Sequence, residues 1–156
     1  MKDASPTTIY LKDYAPFPFR VKNVHLTFQL DPLKTRVISL VEFEPIAGSS
    51  QHDLFLHGED LRLIWAKIDG AAVSPQITKG GLSVRVPSAS FVWECEVEID
   101  PQNNTSLEGL YMSNGMYCTQ CEAEGFRKIT YYPDRPDVMA QFHVRIEGDL
   151  PILLSN

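Results

Sequence analysis

A chain of 156 residues, 44% of them hydrophobic, is long enough to form one domain with a sizeable core. Twenty acidic against 14 basic residues leave a formal charge of −6, which repels nucleic acid and suits cationic ligands such as ammonium groups; no Lys/Arg cluster offsets it. No run of about 18 apolar residues predicts a membrane span, and the opening "MKDASPTTIYLKDY" lacks the apolar segment of a secretory signal.

The dominant period is two. Val24, Leu26, Phe28 and Leu30 alternate with His25, Thr27, Gln29 and Asp31, which predicts a strand with one wet face. After a turn signal at Asp31-Pro32, Val37, Ser39, Val41 and Phe43 alternate less cleanly with Ile38, Leu40, Glu42 and Glu44. Further turn signals stand at Asp69-Gly70, Gly80-Gly81 and Gln102-Asn103-Asn104. The clearest strand is "FVWECEVEI", with Phe91, Trp93, Cys95, Val97 and Ile99 on one face and Glu94, Glu96 and Glu98 on the other. Pro136, soon after Asp134, suits the start of a short helical turn over Arg135 to Phe142. Phe142, Val144 and Ile146 then alternate with His143, Arg145 and Glu147, and the final "LPILLSN" reads as a strand that stops without a turn or cap, as in a chain cut from something longer. Trp65 and Trp93 read as core. Short strands without a long helix, repeat or low-complexity linker predict an antiparallel all-β domain with one face packed.

The segment "YCTQCEAEGFRKITYYPDRPD", residues 117–137, concentrates the chemistry. Cys118 and Cys121 form a CxxC, but a closed zinc site needs further ligands. The remaining cysteine, Cys95, lies on a packed face; His25, His52, His57 and His143 lack ligand spacing; and no HExxH occurs. A redox CxxC belongs between a strand and a helix, a context missing here. Two ordinary thiols and no metal are therefore expected, in the reducing setting of the cytoplasm. The overlapping sequons at Asn103 and Asn104 are then chance matches.

If Cys118 to Glu122 is extended, Cys118, Gln120 and Glu122 share one face. The amide and carboxylate make an acceptor-rich patch for a primary ammonium, each charge-assisted bond contributing roughly 1.5–3 kcal/mol when partly desolvated. The competing reading pairs Glu122 and Glu124 with Arg127 or Lys128 and gives the patch no ligand.

The stretch "LEGLYMSNGMYCTQCEAEGFRKITYYPDRPDVMAQF", residues 107–142, resembles the zinc metalloaminopeptidases of the M1 family (gluzincins), in their bacterial aminopeptidase N branch. The family pattern Thr-Gln-x-Glu/Gln, an Arg five residues after the acid, then an aspartate and a proline, is met by Thr119, Gln120, Glu122, Arg127, Asp134 and Pro136. "YLKDYAPFPF", "DPLKTRV", "LHGEDLRLI" and "LLSN" extend the likeness over nearly the whole chain. The resemblance implies a twisted, saddle-like antiparallel β-sandwich. It would be a single N-terminal domain, residues 1–156, excised from a larger multidomain enzyme and lacking its last strands. That domain leans on a thermolysin-like catalytic domain of the same polypeptide and sends one loop into its cleft.

By position, Glu122 would bind the substrate's α-ammonium, and Gln120 would line the pocket for the first side chain. Arg127 and Asp134 would structure the loop; Met112 and Met116 flank it, and Tyr131 and Tyr132 would be core or interface aromatics. An exopeptidase must measure from a charged terminus to the scissile carbonyl, which a carboxylate on a rigid element does. Zinc, its HExxH helix and a GxMEN loop belong to the missing catalytic domain, so the chain alone should be inactive. The expected whole removes N-terminal amino acids from peptides, with the peptide N-terminus and the catalytic domain as partners and neither nucleic acid nor membrane. The alternatives are a stand-alone β-sandwich module that binds peptide N-termini or another small ligand without catalysis, and a pure interdomain scaffold.

Overall fold

In β8 (Phe91–Ile99) every second residue is buried without a break, so five side chains enter the core and Val92, Glu94, Glu96 and Glu98 face outward. The computed structural model describes residue 8 and residues 10–46 and 53–154. The remaining strands in chain order are β1 (Phe19–Gln29), β2 (Thr35–Pro45), β3 (Asp53–His57), β4 (Arg62–Ile68), β5 (Ala71–Ala72), β6 (Gln76–Thr78), β7 (Gly81–Arg85), β9 (Gly109–Ser113), β10 (Met116–Gln120) and β11 (Gln141–Glu147). Among the described residues there is no α-helix and none long and apolar enough to cross a membrane. His52, the segment 1–7 and the end of "LPILLSN" at Ser155 and Asn156 lie outside the described residues.

A six-stranded sheet runs β11-β1-β2-β8-β4-β5, a three-stranded sheet runs β3-β7-β6, and β9 and β10 form a hairpin. Antiparallel register sets Val37 opposite Val97, Ser39 opposite Cys95 and Val41 opposite Trp93, so one face of the large sheet is apolar but for the buried hydroxyls of Thr35 and Ser39. That face packs on Leu54, Leu56 and Leu82 of the small sheet within a single core cluster. Trp93, Phe43, Leu54 and Leu56 are fully buried, each contributing about 1.5–3 kcal/mol by leaving water. The product is the all-β domain with one packed face that the alternation predicts, arranged as the sandwich that the resemblance implies. The predicted turns at Asp31-Pro32, Asp69-Gly70, Gly80-Gly81 and Gln102-Asn103 coincide with turns between strands.

Four local expectations are corrected. Trp65 is not in the core: between Leu63 and Trp65 the register of β4 against β8 slips, and this bulge sends Ala66 and Ile68 inward and the indole outward. There its Nε1 donates to Glu96 and the Lys67 ammonium lies 4.8 Å from the ring centre. The sheet is not wholly antiparallel, because β11 joins β1 parallel. No helical turn spans Arg135 to Phe142; a lone turn is closed by Val138 N–H donating to the Arg135 carbonyl, and from Gln141 the ladder to β1 takes over. Residues 150–154 form no strand.

An acidic loop at the root of the β9–β10 hairpin

The hairpin turns on Asn114 and Gly115, at φ 49° and 81°, a two-residue connection whose twist suits the flanking strands. Asn-Gly is a hairpin signal that the alternation reading passes over. Cys118 stands opposite Tyr111 and Gln120 opposite Gly109. The strand ends at Gln120, so the extended run expected through Glu122 is corrected: residues 122–125 are a turn, closed by Gly125 N–H donating to the Cys121 carbonyl at 2.8 Å. Close approach explains the stop. A Cβ on Gly125 would lie 2.2 Å from the Gln120 carbonyl oxygen and 3.0 Å from the Gly109 nitrogen, so the turn seats directly on the hairpin root.

Gln120 and Glu122 are nonetheless brought together, because the Gln120 amide Nε2 donates to the Glu122 carbonyl at 3.1 Å. Both side chains are exposed. The two readings of the acidic pair now separate. Glu124 lies 3.4 Å from Arg127, and Lys128 reaches Asp60 at 3.1 Å and Glu108 at 3.8 Å. The Glu122 carboxylate has no ion-pair or hydrogen-bond partner among the described residues. It is a charged acceptor without a donor.

The loop behind it is firmly tied. Asp134 Oδ2 accepts from Arg127 Nε at 2.9 Å and from the Arg127 backbone N–H at 3.1 Å, while Arg127 Nη2 donates to the Asp134 carbonyl at 3.0 Å. Both side chains are mostly buried, at 11% and 13% exposure. Glu59 N–H donates to the Arg127 carbonyl, and His57 exchanges two backbone bonds with Tyr132, so β3 braces the loop from the other side. Tyr131 and Tyr132 are core residues; Met116 is exposed at the hairpin tip and Met112 half-buried.

Cys118 and Cys121 are free thiols, and burial, with help from the Asp134 charge, pushes the Cys121 thiol up. No three His, Cys, Asp or Glu side chains among the described residues are gathered to hold a metal ion. Two surface concavities, one of about 260 Å3 beside Asn104 and Lys128 and one of about 210 Å3 beside Glu42 and Phe91, include neither Gln120 nor Glu122. The acidic loop stands on open surface.

Burial, reinforced by Asp134, holds the Tyr132 phenol up at about 12. In the unfolded chain it would ionise near 10, so the neutral phenol stabilises the fold fully below about pH 10, and that contribution is lost as pH rises from there towards 12. Urea midpoints are expected to fall between about pH 10 and pH 12, and less steeply in Tyr132→Phe. Equal slopes in the two proteins would remove Tyr132 from the account.

Comparison with known proteins bears on the family and the fold. The family model of the Peptidase M1 N-terminal domain matches residues 21–156. The chain is 46% identical over 161 aligned residues to aminopeptidase N of Caulobacter vibrioides, spanning 100% of this chain and 18% of that protein. To aminopeptidase N of Escherichia coli it is 43% identical over 155 residues, spanning 97% of this chain and 18% of that protein. The crystal structure of Legionella pneumophila aminopeptidase A in complex with aspartic acid superposes with a TM-score of 0.79 at 28% identity, over 87% of this chain and 17% of that one. The chain thus spans under a fifth of the length of these relatives.

Proposed function

Since the chain belongs to the M1 peptidase family, as its N-terminal domain, we propose that it anchors the free α-ammonium of a peptide for a zinc-dependent aminopeptidase whose catalytic machinery lies elsewhere in the polypeptide. One observation carries the reading: Glu122 presents an unpaired carboxylate on a loop braced by Arg127, Asp134 and β3. The carboxylate accepts ammonium N–H donors. The Gln120 amide, held by its bond to the Glu122 carbonyl, lines the pocket for the first side chain beside it. Arg127 and Asp134 keep the loop in place, so the distance from amine to scissile carbonyl is fixed.

Half a site is present here. An exposed carboxylate–ammonium contact in water contributes only about 0–1 kcal/mol, so a second wall that excludes water is needed for useful affinity. This argues for a domain that completes a cleft and against a stand-alone binding module. Zinc, bound in the catalytic domain, supplies the activated water; HExxH does not occur in these residues. Three free thiols suit a reducing compartment, and we place the enzyme in the cytoplasm.

The test compares the longer polypeptide with residues 1–156. The former is expected to release N-terminal amino acids from peptides with a free amine, to spare Nα-acetylated ones and to stop when zinc is chelated. Residues 1–156 alone are expected to hydrolyse nothing and to bind dipeptides no tighter than about 1 mM. Tight dipeptide binding by the chain alone would hand the case to the binding module. Equal turnover of acetylated peptides would end the anchor role.

A further inference from the structure

The outward face of the large sheet carries two imidazoles in contact. β11 runs parallel to β1 with His143 level with His25. Their rings stack, with centroids 4.5 Å apart and planes 9° from parallel. The spacing is that of the strands. Neighbours in a sheet lie about 4.8 Å apart, so residues directly opposite on parallel strands carry their side chains side by side. Both histidines are exposed. Among the described residues neither imidazole makes a hydrogen bond or an ion pair, and each neutral ring keeps one nitrogen lone pair to give. Ligand spacing counted along the chain passes over this pair, because the two residues meet only through the register of β11 on β1.

The surroundings suit a cation. Across the sheet from His143 and His25 the same row continues through Leu40, Glu94 and Lys67. Glu42 shares the face, and its carboxylate accepts from the Asn23 amide at 2.7 Å. The cations nearby are engaged. Arg145, two residues along β11, turns to Glu147 at 2.7 Å, and the Lys67 ammonium sits over the Trp65 ring. The charge of −6 on the whole chain adds to the attraction.

We propose that His25 and His143 chelate a divalent transition-metal ion on this face, with water completing its coordination. An ion bound about 2.0–2.1 Å from each of two nitrogens at adjacent coordination positions needs them about 3 Å apart. Rotation about χ2, a broad torsion in histidine, tilts the facing ring edges together from the stack. Two imidazoles and water select copper(II) and nickel(II), which accept tetragonal nitrogen and oxygen sets, over magnesium, which prefers oxygen alone. Once bound, the ion clips β11 to β1, two strands far apart in sequence, and stabilises their pairing by mass action. The inference does not rest on the role of Glu122, and its test uses no activity.

Hydrogen exchange of the β1 and β11 peptides in the longer polypeptide is followed as nickel(II) is added, with the β3 amides as internal reference. Nickel is expected to slow exchange in both peptides and to leave β3 unchanged, while magnesium at the same concentrations does nothing. His25→Asn and His143→Asn, both at exposed positions, are expected to leave the metal-free exchange of the two peptides as it was. Each should raise the nickel concentration for half effect at least about tenfold, and the double variant should be no worse than either single one, because chelation needs both rings. Nickel without effect on the two peptides overturns the proposal. So does an equal effect of magnesium, which would be screening of charge, or a nickel effect that survives either substitution, which would place the ion elsewhere.

Discussion

Replacing Glu122 with alanine in the full-length polypeptide is expected to lower kcat/KM for peptides with a free amino terminus at least about tenfold, roughly 1.5 kcal/mol. The figure follows from what the carboxylate gains when a cleft closes over it. On the open surface it is solvated and unpaired. With water excluded, each charge-assisted bond to an ammonium contributes about 1.5–3 kcal/mol, and one such bond accounts for the loss. Both kcat and KM should change, because the carboxylate binds the ammonium in the ground state and, by setting the distance to the reacting carbonyl, contributes more in the transition state. Stability should hardly move: with no intramolecular partner to lose, Glu122→Ala belongs with surface substitutions worth within about 0.5 kcal/mol. An unchanged kcat/KM removes the amine anchor, and a large fall in melting temperature makes Glu122 a structural residue instead.

The strands and their packed face were legible because one wet face leaves an alternating record. β8 carries a glutamate at every outward position but its first, and its inward residues met β2 in the register that the pattern implies. What failed to show is what residue identity does not encode. The bulge that turns Trp65 outward is a slip of one residue between strands, and a Trp fits either side of it. The parallel pairing of β11 depends on the chain path and not on its composition. Its alternation predicted a buried face, and the face is half bare.

At the site, the residue types gave two readings of Glu122 and Glu124, and only coordinates part them. Arg127 takes Glu124, three residues before it, and leaves Glu122 free. The strand could not be seen to end at Gln120 either. Gly125 stops it through contact with the Gln120 carbonyl and with Gly109, on the neighbouring strand of the hairpin. The ammonium-binding roles of Gln120 and Glu122 came from resemblance and remain the part that kinetics must test.

Arg127→Leu is expected to be the most damaging single change in this loop. It leaves the Asp134 carboxylate, 13% exposed, with the Arg127 backbone N–H at 3.1 Å and no cation within bonding distance. Breaking a fully buried pair from one side costs about 3–5 kcal/mol; some exposure here brings the expectation to about 2–3 kcal/mol. Lysine should not rescue it, because one guanidinium serves the carboxylate through Nε and the Asp134 carbonyl through Nη2, a fork that an ammonium lacks. Urea denaturation measures the stability loss, and Asp134→Asn paired with Arg127→Leu gives the coupling. Kinetics then ask whether the clamp acts through Glu122. A residue that works by positioning that carboxylate has nothing left to position once the carboxylate is gone. Arg127→Leu should therefore lower kcat/KM about tenfold in the otherwise native enzyme and far less in the Glu122→Ala background. The same factor in both backgrounds would mean that Arg127 reaches the substrate by a route of its own.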